Sequence, residues 1–190
     1  MGKRQAAVDE TRSRIINAAI LEYQVNGIED TSMQAVARRA DVAPGTVLYH
    51  YRTPDDLAAA VVEHWIEAMS APSPELIDSN APVEDRVKAL VRELFGLYER
   101  SEVAYRIYMK SPQHPVLKRY EAWWYENTGA MMVKALGERA GEEETMKVVS
   151  VLTNPGFRGT LLMTGFDSER AIQIASQMAI DWLRNRKSAV

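Results

Sequence analysis

The amino-acid sequence predicts an all-α fold with a small N-terminal helix-turn-helix head and a larger C-terminal helical bundle. Three observations carry this reading. Apolar residues recur at spacings of three and four along nearly the whole chain, with no strand-like alternation between hairpin turns. Two short helical stretches meet near residues 40–44, where Ala40, Ala43 and Gly45 leave room for a tight turn. The segments Ala71-Pro-Ser-Pro and Asp78-Ser-Asn-Ala-Pro82 then interrupt the periodicity, as a connection does.

The first helix is expected from about Asp9 to Val25, with Ile15, Ile16, Ala19, Ile20 and Tyr23 on one stripe and Asn26-Gly27 closing it. A second follows Thr31 or Ser32, either of which can cap it, and Met33, Val36, Ala37 and Ala40 form its inner face. A third starts at Pro44, a residue suited to the first helical position. On it Val47, Leu48 and Tyr51 are expected to point inward, and Thr46, Tyr49 and His50 outward. Thr53 should cap a fourth helix, which begins at Pro54 with Asp55 and Asp56 at its positive end and runs to about Met69. Further helices are expected over Val83–Arg100, Glu102–Lys110 and, as one long element, Pro115–Ala140. The helix starting near Glu142 should bend at Pro155, which lacks a backbone donor. Ser168 should cap the last helix, which reaches about Asn185.

Composition excludes several classes. Hydrophobic residues make up 46% and charged residues 26%, which is a globular balance rather than a disordered or fibrous one. The net charge of −3 does not advertise nucleic acid globally, so any such partner needs a local argument. Cysteine is absent, so there is no disulfide framework, thiol nucleophile or thiolate metal site. The N-terminal residues lack the apolar core of a signal peptide, and no apolar run approaches the ~18 residues of a membrane span. A cytoplasmic protein with no membrane partner is the expectation. Enzyme motifs are missing: there is no Gly-rich phosphate loop and no Gly-x-Ser-x-Gly elbow. His64 and Glu67 stand three apart on a helix but lack further ligands at metal-binding spacing. No catalytic residue, metal or cofactor is therefore expected.

Residues 31–57 hold the main signal. The order is a capped short helix, a tight turn, and a second short helix with a polar outer face, the geometry in which the second helix enters a DNA major groove. Thr46 offers a short hydroxyl, Tyr49 can reach a base edge or phosphate, and His50 can donate to phosphate. Ala43 and Pro44 lie at the helix start, where close approach is easiest. Thr31, Ser32 and Gln34 open the preceding helix, whose free amides suit a phosphate. Arg52, Lys3 and Arg4 would add sequence-independent attraction.

In this block the chain resembles the tetracycline-repressor (TetR) family of bacterial transcriptional regulators. Thr31, Val36-Ala37, Ala40, Val42, Gly45-Thr46, Val47, His50, Tyr51 and Leu57 fall on the family's pattern without a gap. Three positions depart from it. Asp41 stands at the usual turn glycine, Leu48 at a usual tyrosine, and Pro54 at a usual lysine. The last two changes each remove an expected phosphate contact. Up to Arg52 there are seven basic against six acidic side chains, a net charge of only +1. The resemblance implies a DNA-binding domain over 1–53 and a ligand-binding and dimerisation domain over 54–190. It also implies a regulator, in its commonest form a repressor released from a palindromic operator by a small-molecule effector.

Aromatic residues concentrate mid-chain, from Phe95 to Tyr125, which suits either a helical core or a small-molecule site. Candidate lining residues are Trp65, Tyr98, Tyr105, Tyr108, Trp123, Asn127 and Phe157. Near the C-terminus Met146, Val149, Leu152, Leu161, Leu162, Ile172, Ala175, Met178, Ala179 and Trp182 make apolar faces wide enough for both a core and a partner copy. The resemblance implies a homodimer built there. Two alternatives fit the same residues: a ligand-independent regulator or activator of this fold, and a helical ligand carrier or enzyme whose helix-turn-helix is only structural.

Overall fold

The computed structural model describes residues 2–69 and 73–186, with the backbone alone at Lys3 and Arg4. The attraction expected from the Lys3 and Arg4 side chains, and residues 71 and 72 of the expected connection, lie outside the described residues. Ten α-helices follow in order among the described residues: α1 (Lys3–Asn26), α2 (Met33–Arg39), α3 (Pro44–His50), α4 (Pro54–Ala68), α5 (Val83–Arg100), α6 (Glu102–Lys110), α7 (Lys118–Leu136), α8 (Glu143–Leu152), α9 (Pro155–Met163) and α10 (Ser168–Asn185). Among those residues there is no strand.

Four of the helix starts follow from side-chain capping. Ser32, not Thr31, caps α2, its hydroxyl accepting from the Ala35 amide at 3.1 Å. Thr53 and Asp56 form a reciprocal capping box at α4, each side chain accepting the other's backbone N–H at 3.0 Å. Four expectations are corrected. Helix α1 starts at Lys3 rather than Asp9. Residues 5–10 are exposed, with Gln5 donating to Asp9 at 3.0 Å, and no buried apolar stripe marks them. The long helix expected over 115–140 is a 3-10 turn at Pro115–Leu117, then α7, then a 3-10 segment at Gly137–Gly141. Gly137 breaks it by adopting a φ of +60°, which side chains rarely adopt. Pro155 does not bend one helix but separates two, with Asn154 capping α9 through the Gly156 amide at 2.8 Å. Asp167, not Ser168, caps α10, accepting from the Arg170 amide at 2.7 Å.

The helices sort into two compact units, Met1–Ser70 with Ser101–Trp123, and Ala71–Arg100 with Trp124–Val190. In the first unit α1 packs on α2, α4 and α6, and α2 packs on α3. Its buried apolar residues include Ile15, Ala19, Tyr23, Val36, Ala37, Val47, Leu57, Val61 and Ile107. The α1–α2 connection is tied to the end of α6. The Ile28 amide donates to Ser111 Oγ at 2.8 Å, and the Ser111 hydroxyl donates to the Glu29 carboxylate. Burial pushes the Glu29 carboxyl up, but the Ser111 hydroxyl, its own backbone N–H and the charge of His114 outweigh that and hold it below its ordinary value.

In the second unit α10 packs on α5, α8 and α9. The core is Val87, Leu90, Val91, Leu94, Phe95, Met131, Leu136, Val149, Ala171, Ala175, Ala179 and Leu183. Arg139 fastens the end of α10, donating to the carbonyls of Leu183 at 2.6 Å and Arg186 at 3.1 Å.

Candidate nucleic-acid interface

Helix α3 is only seven residues long, too short to persist alone in water. Its position is set from beneath and from both ends. Val47 is fully buried under it, and Tyr51 closes its C-terminus with 5% exposure. The Tyr51 hydroxyl accepts from Arg12 Nε at 3.2 Å, a contact that raises the Arg12 pKa further and so keeps the guanidinium charged. At the other end the turn depends on Asp41, whose φ of +53° lies in the left-handed region that Asp tolerates better than most residues. Arg14 reaches across with one Nη to the carbonyls of Ala40 at 2.6 Å and Asp41 at 2.8 Å. The Val42 amide donates to the Ala37 carbonyl at 3.1 Å. The turn is therefore pinned by backbone and by α1, and α3 is held as a rigid ridge.

The ridge is exposed. Ala43, Pro44 and Gly45 are open at its start, Tyr49 is 81% exposed, and Thr46 and His50 are half-buried on its flanks. Tyr49 and His50 contact edge to face with ring centres 5.3 Å apart. Leu48 corrects the sequence expectation, because it points out and not in, with 50% exposure. One residue advances a helix by about 100°, so in this short helix only Val47 and the position four later share the inner side.

The expected phosphate-binding group divides. Ser32 and Gln34 are exposed at the start of α2, though the Ser32 hydroxyl is engaged as the cap. Thr31 is buried, its hydroxyl donating to the Gly27 carbonyl at 2.6 Å. Among the basic residues Arg39 is paired with Glu22 at 2.6 Å and Arg14 is committed to the turn. Arg38 and Arg52 are exposed and have no ion pair among the described residues.

The candidate effector residues fall in both units. In the first, Trp65 is buried and meets Tyr120 edge to face at 6.4 Å between ring centres. Trp123 is stacked on Tyr120 at 6.3 Å, Tyr108 donates to Glu121 at 2.7 Å, and Tyr105 is half-buried. Tyr120 was not singled out from the sequence, yet it joins these rings. Its spacing of three from Trp123 on α7 is the signal that marks it. Burial first, and then Tyr108 nearby, push its phenol up to about 12. The indole Nε1 of Trp65 is buried with no hydrogen-bond partner. In the second unit the Tyr98 hydroxyl donates to the Thr153 carbonyl at 2.6 Å and its ring stacks on Trp124 at 5.2 Å. Phe157 packs against the core of that unit, and Asn127 is half-buried.

A pinned helix-turn-helix presenting an exposed second helix, within an otherwise helical chain, defines a DNA-binding transcriptional regulator. Comparison with known proteins agrees. The family model described as bacterial regulatory proteins, tetR family, matches residues 15–61. The transcriptional regulator BetI of Paraburkholderia phymatum is 24% identical over 187 residues, spanning 94% of this chain and 95% of its own. A TetR-family member from Streptomyces coelicolor superposes with a TM-score of 0.64 at 29% identity, over 88% of this chain and 97% of that one. The multidrug binding protein EbrR, complexed with ethidium, superposes with a TM-score of 0.56 at 29% identity, over 88% and 97%. Residues 15–61 thus match the tetR family of bacterial regulatory proteins, and the chain as a whole is similar to members of that family.

Proposed function

We propose that this regulator is a homodimeric, cytoplasmic repressor that reads a palindromic operator with α3 and leaves it when a small molecule binds. The observation that carries the reading is the exposed face of α3, from Ala43 to Tyr49, standing on the buried Val47. Residues 1–53 are the reading head in this account, and 54–190 carry ligand binding and dimerisation. Thr46, Tyr49 and His50 meet base edges and phosphates, while Arg38 and Arg52 supply sequence-independent attraction.

Dimerisation is supported by apolar side chains left open towards the C-terminus: Met163 at 89%, Phe166 at 42% and Met178 at 46% exposure. In this reading a partner copy would cover them. A two-fold dimer places two heads on successive major grooves. Effector binding is supported by the aromatic group of Trp65, Tyr108, Tyr120 and Trp123, and by the unpartnered Trp65 Nε1, a donor that a ligand oxygen would satisfy. The multidrug binding protein EbrR, which this chain resembles in fold, is solved in complex with ethidium. Ligand binding would favour a head spacing that no longer fits the two grooves, and operator affinity would fall by the ligand's differential affinity for the two states. No catalysis is proposed.

The test is retention of duplex fragments from around the protein's own coding region, followed by footprinting. Two protected patches about one helical turn apart are expected. Uniform retention of all fragments alike would refute sequence-specific reading.

A further inference from the structure

We infer that Leu48 is a specificity-determining residue that recognises the 5-methyl group of a thymine in the operator. The inference rests on the DNA-reading role of α3 and goes beyond it, because it assigns one side chain to one chemical group on the base. Single exposed leucines are ordinary on protein surfaces. This one stands half-exposed on the flank of the ridge, about 100° round the helix from the 81%-exposed Tyr49. Its neighbours one turn back are the exposed Pro44 and Gly45, which leave nothing on the helix to shield it. A Cβ placed on Gly45 would meet nothing within 4 Å, so the approach to Leu48 from the helix start is open.

The chemistry points to one partner. Leu48 has no donor or acceptor, so it cannot hold a phosphate or read a hydrogen-bonding base edge. The major groove displays one apolar group, the thymine methyl, and burying it against an aliphatic side chain removes both surfaces from water. A polar residue there would contribute to every sequence through the backbone, whereas leucine contributes only where a methyl is present. The substitution thus exchanges sequence-independent affinity for discrimination. This fits a head whose charge up to Arg52 is only +1 and whose uncommitted arginines are few.

The experiment begins with a duplex selected by the wild-type full-length protein from a random pool. Thymines under α3 are then exchanged one at a time for deoxyuracil, which pairs identically but lacks the methyl. At one position the wild-type protein should lose about four-fold in affinity per half-site, the effect of one methyl group withdrawn from contact. Leu48→Ala should bind the thymine operator more weakly and be indifferent to uracil at that same position. Leu48→Met should keep the response. The dependence of affinity on salt should be the same in all three, because no phosphate contact is involved. Leu48 is exposed, so all three proteins should share one melting temperature. Two results overturn the inference while leaving sequence-specific reading intact. One is a selected operator with no thymine under α3; the other is a Leu48→Ala protein that responds to uracil as the wild type does. A pool from which no sequence is enriched overturns the DNA-reading role, and this inference with it.

Discussion

Replacing Tyr51 with alanine should open the reading head while leaving the second unit folded. Tyr51 is 5% exposed and closes the C-terminus of α3, so its ring is part of what holds that helix in place. Removing a buried aromatic ring costs roughly 3–5 kcal/mol through lost burial and the cavity left behind. The hydroxyl contributes separately, as an acceptor for Arg12 Nε at 3.2 Å on a partly exposed edge. Tyr51→Phe should therefore cost only about 0.5–1 kcal/mol. The two units need not unfold together, so a single melting curve is the wrong readout. Amide hydrogen exchange localises the effect. Protection over α2 and α3 should fall by roughly two to three and a half decades in Tyr51→Ala, the same free energy expressed as an opening constant. Protection over α5 and α10 should be unchanged. If Tyr51→Ala keeps wild-type protection in α2 and α3, the ring does not anchor the head. If Tyr51→Phe loses as much as alanine, the Arg12 contact and not the packing holds it.

Three further outcomes are expected. Thr53→Ala removes one half of the α4 capping box and should destabilise the first unit by about 1 kcal/mol, read as faster exchange in the first turn of α4. The Glu29 carboxyl is depressed in the folded state, so its contribution is present above the unfolded carboxylate range and is lost as pH falls through the folded value. Glu29→Gln should accordingly narrow the loss of melting temperature between neutral pH and pH below the ordinary carboxylate value, and an unchanged difference would show that Glu29 contributes nothing there. Met178→Glu should shift the protein towards monomer in sedimentation. It is a cleaner probe than Trp182→Glu, because Trp182 is half-buried against the core with Arg186 over its ring at 5.8 Å. A wild-type protein that is monomeric at micromolar concentration would refute the dimer.

The reading head was largely legible in the sequence because its signals are local. Pro44, Thr53-Pro54, Gly27 and the i, i+3, i+4 spacing of Val36, Ala37 and Ala40 each act through a few neighbouring residues, and each element starts or packs where that chemistry puts it. Asp41 was legible too, since a left-handed turn residue is a local backbone preference. Leu48 was misplaced for the opposite reason. Whether an apolar side chain on a seven-residue helix faces in or out depends on which neighbours cover it, and Val47 already fills the inner side. Thr31 shows the same limit, because its hydroxyl is taken by a carbonyl of the preceding helix end. The polar start of α1 left no apolar stripe to read. Among the aromatic residues Trp65 and Trp123 were candidates from the sequence, and the spacing of Tyr120 from Trp123 places those two on one side of α7, but the contact of Tyr120 with Trp65 depends on non-local packing of α4 on α7.

If the outer face of α3 carries sequence reading, operator affinity measured against salt for single alanine variants will separate its residues by role. Tyr49→Ala should lose roughly 1–3 kcal/mol on the selected operator and little on random DNA. Arg52→Ala should weaken binding to both alike and lower the salt slope by about one. Operator affinity left unchanged in the Thr46, Tyr49 and His50 alanine variants would contradict the claim.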